Sequence, residues 1–199
     1  MKNVIEHYNK LIDENNDPVH DPKPLRDYMD KWDGHKFIES MQLDKSKSVL
    51  EIGVGTGRLA IKVAPLCKRL VGIDISPKTI ARANENLSLH PNIELICGDF
   101  KSFAFDEQFD IIYSSLTFMH IENKASAIGK IAALLNTNGR FVLSIDKNQN
   151  DFIDMGTRKI KIYPDNPTDI CSFIANANLE LTDQFETDYA YIMVSQKAK

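Results

Sequence analysis

Apolar positions along this chain fall into two alternating patterns. Short, largely apolar runs at 49–52, 70–74, 93–97, 110–114 and 141–145 read as strands, the second closing on the acid Asp74. Between them, apolar residues recur every three or four positions: Leu59, Ala60, Val63 and Ala64; then Ile80, Ala81, Ala83 and Leu87; then Ile128, Ile131, Ala132 and Leu135. That spacing predicts helices over 58–66, from Pro77 to about His90, and over 125–135. Ser76 followed by Pro77 is a helix start, because the serine side chain can cap and proline has no amide to lose. Residues 136–139 read as a turn. Strands alternating with helices imply parallel strands joined by right-handed crossovers. Runs that are apolar at consecutive positions imply a sheet covered on both faces.

The two ends differ from this middle. Beyond residue 150, 159–163 alternates like a short strand and 168–177 reads as a helix. Two further strands, 179–187 and 189–196, are joined by a short turn at Asp188, which suits a closing antiparallel pair. At the other end, 4–11 reads as a short helix and the proline-broken 17–24 as a loop. Leu25, Tyr28, Met29 and Trp32 then follow at helical spacing, before Phe37, Ile38 and Met41. This predicts an N-terminal helical segment, 1–47, whose apolar stripe packs on an α/β domain of 48–199 within one compact unit.

Composition narrows the function. The chain has 199 residues, 43% of them hydrophobic, enough for a sizeable core. A net charge of −4 without a basic run gives nucleic acid no obvious surface. Cys67, Cys97 and Cys171 form no C-x-x-C pair and are odd in number, so neither a disulfide framework nor a metal site is expected. No long apolar stretch stands at the N-terminus, so no membrane partner is expected and a cytoplasmic location is the default. Oligomeric state is not legible.

The most specific stretch is Val49-Leu50-Glu51-Ile52-Gly53-Val54-Gly55-Thr56-Gly57-Arg58. A strand enters a glycine-rich turn that opens a helix, leaving amide groups free for a ligand. A dinucleotide fingerprint, G-x-G-x-x-G, would need its third glycine where Arg58 stands, and the Gly-Lys-Ser/Thr of a phosphate loop is missing. What stands here is Glu51-x-Gly53-x-Gly55-x-Gly57. It resembles motif I of the class I S-adenosylmethionine-dependent methyltransferases. Asp74, Gly98-Asp99, the 109–121 segment and the 135–145 segment continue that resemblance in order, over about residues 48–146.

The resemblance implies a Rossmann-like sheet of seven mostly parallel strands, order 3-2-1-4-5-7-6 with strand 7 antiparallel. It implies transfer of a methyl group from S-adenosylmethionine to a small-molecule acceptor by in-line displacement. It also implies residue roles. Asp74 accepts from both ribose hydroxyls, the alternative being an acid that offsets the dipole of the next helix. Asp99 accepts from the adenine amino group, with Phe100 on one ring face and Ile75 on the other. Gly53, Gly55, Thr56 and Gly57 form the cofactor turn, which Glu51 orders from beneath. Ser114 and Ser115 lie at the strand ends, where backbone groups can hold the methionine amino group.

Transfer needs alignment more than a dedicated acid or base. His120, beyond the fourth strand, is the candidate base, or a residue that positions the cofactor. His20 and Tyr8 are candidates that the N-terminal segment could bring over the pocket, and Asp146 either meets substrate or caps a turn. The fourth strand ends in Ser114-Ser115-Leu116-Thr117, not the Asn/Asp-Pro-Pro-Tyr/Phe of many adenine and glutamine-amide methyltransferases. That departure points to the small-molecule branch. A protein that holds the cofactor without transferring methyl would keep the same turn and acids.

Overall fold

In a computed structural model, residues 2–198 are described. Seven strands form one sheet: β1 (Ser48–Ile52), β2 (Arg69–Asp74), β3 (Ile93–Cys97), β4 (Phe109–Ser115), β5 (Leu135–Asp146), β8 (Leu179–Glu186) and β9 (Ala190–Lys197). Their order across the sheet is β3-β2-β1-β4-β5-β9-β8. The first five are parallel, with Leu50 beside Val71 on one side and Ile112 on the other. β9 runs antiparallel to both β5 and β8. Counted within this sheet, the order is the predicted 3-2-1-4-5-7-6.

Helices cover both faces. α5 (Pro77–Asn86) begins at Ser76, whose side chain accepts from the Thr79 amide. α6 (Lys124–Leu134) and α7 (Pro167–Asn176) are capped in the same way by Asn123 and Asn166. On one face Ile128, Ile131 and Ile174 pack on Leu50, Ile112 and Leu143. On the other, Leu59, Val63 and Ile80 pack on Val49, Leu70 and Ile111. Consecutive strand residues thus bury to opposite faces, which is why these strands are apolar without alternation.

Three local expectations change. The helix predicted over 58–66 is only α4 (Ala60–Val63), which tightens into a 3-10 turn at Ala64–Leu66. Pro65 stands there and cannot donate to a continuing α-helical ladder. The turn predicted at 136–139 is absorbed into β5 as a register break opposite Phe109 and Ile111, with Asn138 at φ 62°. A hairpin, β6 (Phe152–Asp154) with β7 (Lys159–Lys161), stands beside the main sheet, and only its second strand was predicted.

The N-terminal segment divides its work. α3 (Gly34–Ser40) belongs to the core: Phe37 is fully buried edge-on to Tyr113, with Met41 just beyond it in the same cluster. α1 (Lys2–Asp13) and α2 (Lys23–Met29) instead border a cavity at the strands' C-terminal ends. α1 is tied down on two sides. The Asp13 carboxylate pairs with Lys78 of α5 at 2.6 Å, while Arg158 of the hairpin turn donates to His7 at 3.0 Å and to both Glu14 oxygens at 2.9 Å.

Candidate functional site

That cavity encloses about 1090 Å³, beyond the roughly 300–1,000 Å³ typical of a single small-ligand pocket. The glycine turn forms its floor. Gly53 has φ +78° and lies so close to Thr117 that an added Cβ would sit 2.0 Å from its Oγ1. Gly55, at φ +56°, faces open space, so a ligand can approach its backbone directly. Gly57 is different. A Cβ there would strike Leu87 at 2.8 Å, so this glycine serves the packing of the turn on α5 and does not line the cavity. Thr56 is on the wall, and its carbonyl is held by Asn86 at 2.9 Å.

Asp74 ends β2 beside this turn. Its two oxygens accept from the Gly55 amide at 3.1 Å and the Ser76 amide at 2.9 Å. Burial nevertheless pushes its carboxyl above the usual range, because desolvation outweighs those bonds. Each oxygen keeps a lone pair toward the cavity's contents. Ile75, Asp99 and Phe100 continue the wall; Asp99 accepts from the Lys101 amide at 3.0 Å, and Phe100 is fixed by Lys130, which donates to its carbonyl at 2.6 Å.

Glu51 lies beneath the turn, only 3% exposed. Tyr113 donates to it at 2.6 Å, yet burial raises its carboxyl to about 8. The two serines separate. Ser115 is on the wall and donates to Asp33 at 3.0 Å. Ser114 is fully buried, donates to the Ile52 carbonyl at 2.9 Å inside the sheet, and is not a wall residue.

Of the catalytic candidates, the fold brings two together. The Tyr8 hydroxyl on α1 lies 2.7 Å from His120 Nε2, and both side chains face the cavity. Burial lowers the His120 ring to about 4, so it is neutral at pH 7. Burial, with the charge of Asp74 nearby, holds Tyr8 well above the ordinary phenol range and therefore protonated. His20 stands apart: it is exposed, bonds Asn86 at 2.9 Å and is not on the wall. Asp146 takes the second of its readings, capping a turn through the Asn148 amide at 2.8 Å.

Two groups carry more of the site than their sequence suggested. Arg58 lines the cavity and is gripped by acids from the N-terminal segment, bonding Asp30 at 3.1 Å and both oxygens of Asp33. Lys124, 8% exposed, donates to the carbonyls of Phe118 at 2.9 Å, Ile121 at 3.2 Å and Tyr163 at 2.9 Å, and pairs with Asp165 at 2.7 Å. It thereby fastens the His120 loop to the segment that bears Tyr163. An arginine directly after the third glycine was the available signal for the first. Nothing local marked the second.

Residues 50–143, which carry this turn and the acid at the end of β2, match a family model described as a methyltransferase domain. The sheet around this middle stretch has the fold of a solved S-adenosylmethionine-dependent methyltransferase from Listeria monocytogenes, with a TM-score of 0.75 at 14% identity, covering 84% of this chain and 97% of that one. An uncharacterized methyltransferase of Anoxybacillus flavithermus is 39% identical over 121 residues, 59% of this chain and 56% of that protein. Nodulation protein S of Sinorhizobium fredii is 31% identical over 106 residues, 51% of this chain and 49% of that protein. The chain thus spans about half the length of these curated relatives. The crystal structure of N-methyltransferase NodS from Bradyrhizobium japonicum with S-adenosylhomocysteine superimposes with a TM-score of 0.69 at 19% identity, covering 92% of this chain and 95% of that one. Among the described residues, no helix is long and apolar enough to cross a membrane.

Proposed function

We propose that the protein methylates a small molecule, using S-adenosylmethionine held across the glycine turn. One observation carries this: a single cavity is lined by the Gly55 turn and Asp74, by Asp99 and Phe100, and by the Tyr8–His120 pair. The donor set fits the cofactor. Gly55 opens the floor to close approach, Asp74 offers two carboxylate oxygens to vicinal hydroxyls, and Ile75 with Phe100 offers apolar contact to a planar base. Ser115, Thr117 and Arg58 are the polar groups left for the amino-acid end.

When bound, the cofactor supplies an electrophilic methyl group. The chain's own contribution is positioning and exclusion of water. α1 roofs the cavity through the Tyr8–His120 bond, and α2 with the hairpin walls the remaining space. Asp33, by accepting from Ser115 and gripping Arg58, ties the N-terminal segment to the strand ends. The volume leaves room for a second, small ligand beside the cofactor.

The test is incubation of the purified protein with methyl-labelled S-adenosylmethionine and fractionated metabolite pools. The expected result is labelled product in a low-molecular-mass fraction. Cofactor binding with no labelled product in any pool would favour a protein that only holds the cofactor.

A further inference from the structure

The glycine turn takes part of its shape from a side chain that does not line the cavity. Most of the turn's peptide units are fixed by hydrogen bonds near the strands. The Gly53 and Val54 amides donate to the Ile73 carbonyl at 2.8 and 3.1 Å, and the Gly55 amide donates to Asp74. The Gly57 amide donates to the Val54 carbonyl at 3.0 Å. Among the described residues, no hydrogen bond takes up the Gly55 carbonyl or the Thr56 amide, and both residues line the cavity. That peptide is open to a ligand.

The next unit, Thr56–Gly57, is held by Asn86, whose Nδ2 donates to the Thr56 carbonyl at 2.9 Å. Gly57 has φ +100° and no side chain, so the backbone itself does little to stop this unit rotating. Asn86 is the last residue of α5, and every polar group of its amide is engaged. Nδ2 also donates to the Asp17 carboxylate at 3.1 and 3.3 Å, and Oδ1 lies 2.9 Å from His20 Nε2. Asp17, 3% exposed, is held in turn by Arg82 at 3.2 Å and by the Val19 amide at 3.1 Å. One N–H of Asn86 thus grips the glycine turn while the N-terminal loop fixes the rest of the amide.

We propose, on the reading above, that Asn86 is a positioning residue for S-adenosylmethionine: by holding the plane of the Thr56–Gly57 peptide, it presents the adjoining Thr56 amide and Gly55 carbonyl to the cofactor. Asp17 and His20 keep the Asn86 amide in the orientation that does this. Without Asn86 the unit is anchored at one end only, from Gly57 to Val54, and turns on a glycine.

The two jobs of the Asn86 amide can be separated. Asn86→Asp keeps the shape and the acceptor for His20, but it has no N–H for Thr56 and meets Asp17 as a like charge. Adding Asp17→Asn supplies an N–H back to position 86, so the loop-to-helix bond is rebuilt in the opposite direction while the Thr56 carbonyl stays unheld. Asn86→Ala removes the same N–H without adding a charge.

Calorimetric titration with S-adenosylhomocysteine and urea unfolding are run on the unaltered protein and these three variants. If the unaltered protein does not bind, the proposed function fails and this inference falls with it. The expected result is binding at least about fivefold weaker in all three variants, the worth of one neutral hydrogen bond. The urea midpoint should fall in Asn86→Asp and recover in the double variant, whose affinity stays low. Unchanged affinity in Asn86→Ala, or affinity that rises and falls with the urea midpoint across the four proteins, would overturn the inference while leaving the cofactor reading intact.

Discussion

Asp74→Asn separates ligand recognition from stability. The carboxylate now accepts from two backbone amides, Gly55 and Ser76, and in the proposed complex from two ribose hydroxyls as well. Asparagine keeps the shape but offers one acceptor oxygen and turns an NH2 toward the other partners. Losing one charge-assisted hydrogen bond costs about 1.5–3 kcal/mol. One such bond to ligand therefore predicts a Kd for S-adenosylhomocysteine raised roughly 10- to 150-fold. Folding should respond far less. Burial raises the Asp74 carboxyl, so its ionised form is disfavoured in the folded chain, and removing that charge offsets the bond lost to backbone. The expected change in unfolding free energy is within about 1 kcal/mol. Calorimetry and urea unfolding on the same preparation read the two effects. Unchanged affinity would refute the ribose role, and a large loss of stability with proportionate loss of affinity would make Asp74 merely structural.

Glu51 makes stability depend on pH. Its folded value, about 8, lies above its ordinary 4.5, so its contribution is fully present below 4.5 and is lost as pH rises through 8. His120, lowered to about 4, gives the opposite slope below its ordinary 6.5, so the Glu51 fall in thermal midpoint should stand out between about pH 6.5 and 8.5, and Glu51→Gln should flatten it; an unchanged slope would count against the assignment. Lys124→Met leaves Asp165 buried without its partner and frees three carbonyls. It should cost about 3–5 kcal/mol in urea unfolding, partly restored by adding Asp165→Leu.

The parts of the site that were legible share one property: their chemistry sits in contiguous sequence. Glu51 to Gly57 is a strand, a turn and a helix start, and Asp74 and Asp99 each close a strand recognisable by its apolar run. The sheet was legible for the same reason, since strands buried on both faces and capped helices announce themselves locally. What was not legible depends on contacts between distant residues. Tyr8 and His120 were each singled out, but the bond between them exists only because α1, packed against α5 and β7, carries Tyr8 to the loop after β4. His20 drew notice as a histidine in the same segment, yet its loop turns outward to Asn86. Arg58 with Asp33, and Lys124 with Asp165, are long-range ion pairs without any local signature. Ser114 and Ser115 look equivalent in sequence; the strand's alternation sends one hydroxyl into the sheet and the other to the cavity. β6 was missed because three residues carry too little periodicity.

The most direct measurement is a crystal structure of the protein with S-adenosylhomocysteine. The adenosyl group should lie across Gly55, with the ribose hydroxyls on Asp74, adenine between Ile75 and Phe100, and sulfur directed toward the space below Tyr8 and His120. Density for the ligand elsewhere on the molecule, or a ribose out of reach of Asp74, would contradict the account.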